Sequence, residues 1–138
     1  MRKILFRAKA INRDNGYYRT SYKNGSWVYG LITRLYDDRF EKLPAEMTDT
    51  DGVSRIEVDY KTIGQYTGLT DKYGYKVFEG DIVWDEIDKR YGIVEFDEGE
   101  FIVNFNGNVD CVRFADVINC CYVHSNIYDI PELNNKGE

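Results

Sequence analysis

Four glycines punctuate "IGQYTGLTDKYGYKVFEGDIV" (63–83), at Gly64, Gly68, Gly74 and Gly80. Such spacing can cradle a phosphate with successive backbone N–H groups, or it can reverse the chain between strands. A phosphate cradle opens onto a helix N-terminus, and a P-loop places Lys-Ser/Thr after its last glycine. Here Gly80 is followed by Asp81 and an apolar, strand-like run, and Asp71, Glu79 and Asp81 would repel a phosphate. Gly68, Gly74 and Gly80 therefore read as turn residues, with Asp81 hydrogen-bonding locally at its turn.

"TDTDGVSRIE" hints at calcium, but with Gly52 at the sixth loop position the first and twelfth fall on Met47 and Val58, which supply no carboxylate. Cys111, Cys120, Cys121 and His124 are soft ligands without a C-x-x-C pair, so packed, reduced thiols are expected rather than zinc. Cys120 and Cys121 would point to opposite faces of a strand, which makes them poor disulfide partners. Nine carboxylates lie between Glu79 and Glu100 and could form an acid–base pair or a magnesium site, but most fall in expected turns facing water. No catalytic residue, metal site or cofactor is assigned. The remaining constellation is basic and aromatic: Arg7, Lys9, Arg19, Tyr18 and Trp27, with Tyr17, Tyr22 and Tyr29 nearby. Interleaved cations and rings can stack single-stranded nucleic acid, form a core with a charged outer face, or pair with an acidic neighbour.

The elements that must position these residues are strands. In "RKILFRAKA" Ile4, Phe6, Ala8 and Ala10 alternate with Lys3, Arg7 and Lys9, with Leu5 the exception, which predicts a strand with its basic side outward. "RDNG" and "KNGS" supply tight turns, so "YYRTSY" and "WVYGLI" follow as strands and residues 1–35 form a meander. Residues 36–53 read as a long polar loop, with one helical turn near Pro44. "SRIEVDY", "YKVF", "IVWD", "YGIVEF", "FIVNF", "VDCVRF" and "CYVHSNIYD" read as strands of a small SH3-like, barrel-like unit over 54–130, with "ADVIN" as a short helical turn. Residues 131–138 read as a tail. The expectation is one all-β domain with little helix.

Bulk properties narrow the function. The 138 residues carry a net charge of −6 and 15% aromatics, including twelve Tyr. The first 25 residues hold seven basic groups against Asp14, so a +6 segment precedes a −12 remainder, a split that can steer partners or drive self-association. No apolar run is long enough to span a bilayer, and no signal peptide is evident at the start, so a cytoplasmic protein beginning at Met1 is expected.

The 63–83 stretch resembles the hallmark of the YopX family of bacteriophage and prophage proteins. "FRAKA" resembles that family's opening, differing at Lys9 and Ala10, where the family tends to carry a Trp and an acidic residue. "YGIVEFDEGEFIVNF" resembles its next hairpin, and "NIYDIPEL" (126–133) its closing motif. The resemblance implies a β-rich fold and a phage or prophage origin inside a bacterial cell, and it carries over no catalytic residues. Together these readings predict a non-enzymatic accessory protein that binds a host or phage protein and assembles with itself. The alternative is single-stranded nucleic-acid binding through the basic aromatic sheet.

Overall fold

In a computed structural model, the structure describes residues 3–12, 22–35, 45–105 and 111–129. The chain is all-β, with two compact units, Lys3–Gln65 and Tyr66–Glu138. The units divide later than the 36–53 boundary suggested by composition.

In the first unit, β1 (Phe6–Lys9), β2 (Trp27–Arg34), β3 (Ala45–Asp49) and β4 (Ile56–Val58) pair antiparallel in sequence order. A meander therefore forms, but it runs on to Val58, and β2 pairs directly with β1. The expected strand at 17–22 lies outside the described residues but for Tyr22. The free edge of β1 takes the start of β5 (Gly64–Thr70), with Arg7 opposite Gly64 and Phe6 opposite Gln65. Ala8, Ala10, Val28, Ala45, Met47, Ile56 and Val58 form the core, with Phe6 packed on it. Small Ala side chains on β1 let the sheet close over Met47 and Ile56. Gly30 has a sharper role: a Cβ there would lie 1.9 Å from the Thr48 carbonyl oxygen, so only glycine allows β2 and β3 this approach.

The first unit departs from the sequence pattern at two places. The alternation in β1 does not place its basic side in water: Leu5 and Arg7 are buried and Ile4 is exposed. The Trp27 ring beside the Arg7 guanidinium covers a side chain that alternation alone would place in water. Part of the expected loop is also a strand, because Ala45, Met47 and Asp49 alternate inward over β3 and no helical turn forms there. Residues 36–44 lie outside the described residues.

The second unit continues β5 into a hairpin with β6 (Lys76–Phe78). A five-stranded antiparallel sheet follows, built from β7 (Asp81–Asp85), β8 (Arg90–Asp97), β9 (Glu100–Asn104), β10 (Cys111–Arg113) and β11 (Cys121–Asn126) in the order β10-β9-β8-β7-β11. A single helical turn, α1 (Phe114–Val117), and a 3-10 turn (Ile118–Cys120) connect β10 to β11. Val77, Val83, Val94, Val103, Phe105, Phe114 and Cys121 make this unit's core. The inward residues of β7, β8 and β9 are β-branched, which suits a pleated, close-packed face.

Candidate binding surface

The glycine-rich stretch resolves into turns. Gly68, Gly74 and Gly80 have φ of 86°, 87° and 92°, in the left-handed region that favours glycine. The N–H of Gly74 donates to the Asp71 carbonyl and that of Gly80 to the Val94 carbonyl, so both are engaged within the protein. Gly68 sits at a register shift inside β5, whereas Gly64 is ordinary strand. Asp81 is buried, and its Oδ2 accepts from the Phe78 N–H at 2.7 Å, closing the turn before β7.

A second turn device is shared by Asp49-x-x-Gly52 and Asp71-x-x-Gly74. In each, the glycine N–H donates to the aspartate carbonyl, while Oδ1 accepts two further N–H groups. For Asp49 these come from Asp51 and Val53, and for Asp71 from Tyr73 and Tyr75. The second carboxylate oxygen then fastens the turn to distant chain: Tyr22 Oη donates to Asp49 Oδ2 at 2.8 Å, and the Val123 N–H donates to Asp71 Oδ2 at 3.0 Å. The Tyr22 bond, with backbone N–H bonds in support, holds the Asp49 carboxyl below the usual range. Burial and Asp49 push the Tyr22 hydroxyl up to about 12. Spacing at D-x-x-G was the available signal for these turns, although the long-range bonds left none.

Of the predicted basic aromatic residues, Arg7, Lys9 and Trp27 come together. Lys9 faces Trp27 across the β1–β2 ladder, and Arg7 faces Tyr29. The Arg7 guanidinium lies 4.5 Å from the Trp27 ring centroid and Lys9 Nζ 5.4 Å. Arg7 is only 5% exposed, so its charge is sheathed by the sheet rather than held out toward a phosphate. Tyr18 and Arg19 lie outside the described residues.

A larger aromatic surface, missed in the sequence, lies on the five-stranded sheet. Tyr122 (β11), Trp84 (β7) and Tyr91 (β8) are successive cross-strand partners, so they share the face opposite the Val83–Val94–Val103 core. The Trp84 and Tyr91 rings are 4.6 Å apart, His124 stands 4.9 Å from Tyr91, and Tyr73 meets Tyr122 edge-on at 5.5 Å. Lys72 Nζ lies over the Tyr73 and Tyr122 rings and pairs with Glu86, which raises its pKa. Tyr73 and Tyr91 are 60% and 42% exposed. The Asp71 bond to Val123 holds the Tyr73 turn against the β11 residue next to Tyr122. The signal was alternation: Trp84, Tyr91 and Tyr122 lie off the core register of their strands.

The carboxylates of 79–100 do not all meet water as expected. Asp81 and Asp85 are buried and accept backbone N–H groups, because each caps the turn beside it. Glu79 and Glu95 line an open cleft of about 300 Å³ with Ile93, Phe96, Ile127 and Tyr128. The cysteines also depart from expectation. Cys120 closes the 3-10 turn instead of lying on a strand, so its sulfur comes to the side of Cys121. Burial, with Cys120 and Asp85 adding to it, pushes the Cys121 thiol up to about 12. Cys111 is exposed on β10, and His124 packs on Tyr91 rather than with the thiols.

These features define a class: a two-unit, all-β protein whose acidic second unit turns an aromatic sheet face to solvent. The YopX protein family model matches residues 6–134, and the chain belongs to that family. No curated protein matches it. The chain is similar in fold to protein EF1440 from Enterococcus faecalis, known from a crystal structure, at 20% identity and a TM-score of 0.57, over 95% of this chain and 97% of that one. Among the described residues, no helix is long and apolar enough to cross a membrane.

Proposed function

We propose that the chain is a non-enzymatic phage or prophage accessory protein that acts by binding protein, and that its first partner is a second copy of itself. The observation that carries this is the row Tyr122–Trp84–Tyr91, flanked by Tyr73 and His124, on the solvent side of the second sheet. Tyr and Trp supply much of the binding energy at protein interfaces because they bury large, rigid rings at low entropic cost. Tyr66–Glu138 holds six basic residues against fifteen acidic ones, whereas Lys3–Gln65 holds eleven against nine. The first unit also exposes Tyr29 and Leu31 along one face of β2 beside Lys9, with Leu35 exposed just past the strand's end. An apolar, cationic face on one copy thus complements an acidic, aromatic face on another. Such a contact joins unlike surfaces and builds rings or open chains.

Light scattering over a range of protein concentrations tests this. The mass is expected to rise above the 16.2 kDa monomer, to fall back with added salt, and to stay at the monomer for Trp84→Ala. A wild-type protein that stays monomeric at every concentration would refute self-assembly. Binding of single-stranded nucleic acid through Lys9 and Trp27 is a weaker second reading, favoured by their stacking and opposed by the burial of Arg7. It requires salt-sensitive binding that Lys9→Ala weakens.

A further inference from the structure

Three potential ligand atoms converge where the 3-10 turn Ile118–Cys120 meets β11. The sulfurs of Cys120 and Cys121 and a carboxylate oxygen of Asp85 all lie within 4.8 Å of one another. The convergence follows from local structure. Cys121 is the cross-strand partner of Asp85, so their side chains share the inner face of the sheet. Cys120 still belongs to the turn, whose backbone turns its side chain to the same side, and the Glu86 N–H donates to the Cys120 carbonyl at 2.9 Å to fix the junction. Asp85 is held in turn by the Ile87 and Asp88 N–H groups on Oδ1, at 3.0 and 3.2 Å, and its Oδ2 faces Arg90 Nε at 3.6 Å.

Adjacent thiols could be oxidised to a disulfide or could chelate. Oxidation fits badly: neighbouring Cα atoms are about 3.8 Å apart, whereas disulfides span about 4.4–6.8 Å, and the sulfurs would have to close to about 2 Å. Chelation demands less movement, since two sulfurs each about 2.3 Å from a tetrahedral zinc ion remain nearly 4 Å apart. Charge favours the same choice. Two thiolates and a carboxylate carry three negative charges, and a divalent ion with the Arg90 guanidinium, which also reaches the exposed Asp88 carboxylate, carries three positive ones, so the buried groups alone sum to zero. Cys121 and Asp85 are buried while Cys120 is half-buried, which leaves an approach from the Cys120 side. We propose that Cys120, Cys121 and Asp85 form a zinc-binding site, with a fourth coordination position left for water or an added ligand.

The test is a cobalt(II) titration of the reduced full-length protein, with zinc as competitor. One cobalt per chain should give a thiolate charge-transfer band and tetrahedral ligand-field bands, and zinc should abolish both. Cys120→Ser should weaken cobalt binding at least about tenfold, a loss that even outer partners of metal sites can produce. Cys111→Ser, on exposed β10, should change neither band. Absence of a charge-transfer band in the wild type, or a band lost in Cys111→Ser but kept in Cys120→Ser, would overturn the site. Should Cys120→Ser fail to fold, peptide mapping of wild-type thiols after iodoacetamide decides: zinc should protect Cys120 and leave Cys111 reactive. Equal alkylation of Cys120 with and without zinc would overturn it.

Discussion

Asp71→Asn separates a turn from the bond that ties it to the rest of the sheet. The carboxylate accepts from Tyr73 and Tyr75 on Oδ1, both at 2.9 Å, and from Val123 on Oδ2 at 3.0 Å. Asparagine can keep its oxygen on the two local N–H groups. It must then present an NH₂ group to the Val123 N–H, donor against donor. One hydrogen bond to a charged acceptor, about 1.5–3 kcal/mol, is lost, and the Val123 N–H, partly shielded from water, is left without its acceptor. The expected cost is about 2–3 kcal/mol. Asp71→Ala also frees the N–H groups of Tyr73 and Tyr75, but these residues are exposed and their amides regain water, adding only about 1 kcal/mol. Urea unfolding followed by tryptophan fluorescence reads the difference. With a slope of about 2 kcal/mol/M, the asparagine variant should unfold about 1–1.5 M earlier than wild type. An asparagine variant within about 0.5 kcal/mol of wild type, beside an alanine variant that loses more than about 2 kcal/mol, would show that the local turn carries the effect and refute the cross-strand role. The same variant should weaken self-association, because the Tyr73–Tyr122 contact depends on that bond.

Two further predictions rest on contacts and titration. Gly30→Ala drives a methyl into the Thr48 carbonyl and should cost more than Gly92→Ala, whose Cβ would meet the movable side chains of Val103 and Phe105 at 2.4–2.8 Å. Overpacking of the Gly92 kind costs about 1–3 kcal/mol, and thermal unfolding of the two variants checks the order. Tyr22→Phe should destabilise most in the middle of the pH range. The depressed Asp49 pKa adds stability that is present above the ordinary carboxylate value and lost as pH falls through its lowered folded value. The raised Tyr22 pKa adds stability that is present below its ordinary value and lost as pH rises toward about 12. Urea unfolding of wild type and variant should show their difference shrinking at both extremes, and a difference constant with pH would refute the coupling.

Much of the second unit was legible because its strands advertise themselves. "YGIVEF", "FIVNF" and "CYVHSN" alternate or run apolar between strong turn signals, and they became β8, β9 and β11. The helical turn in "ADVIN" likewise formed over 114–117. β3 was hidden because its buried face includes Asp49, a carboxylate that reads as solvent-facing until its turn partners are seen. Arg7 was misread because alternation reports which residues share a side of a strand, and not whether that side is later covered. The Asp85–Cys120–Cys121 cluster was illegible for a different reason: it depends on where a turn ends and a strand begins, a boundary that one residue of error reverses. Arg7, Lys9 and Trp27 lie together because they sit on two paired strands, but the aromatic row needed the register of three strands, and registers over such separations leave no trace in a single sequence.

The central placement of β1 shapes how the chain must come together during synthesis. One flank of β1 is satisfied by residues about twenty positions on, but the other waits for Glu57, Asp59, Gly64 and Gln65, about fifty to sixty positions on. At about 5–20 residues per second, a ribosome needs several seconds to make that interval. Throughout it, the nascent segment carries an open row of amides and carbonyls, the kind of template that recruits stray strands. A chain halted before residue 57 should therefore be far more prone to aggregate than one that has passed residue 65.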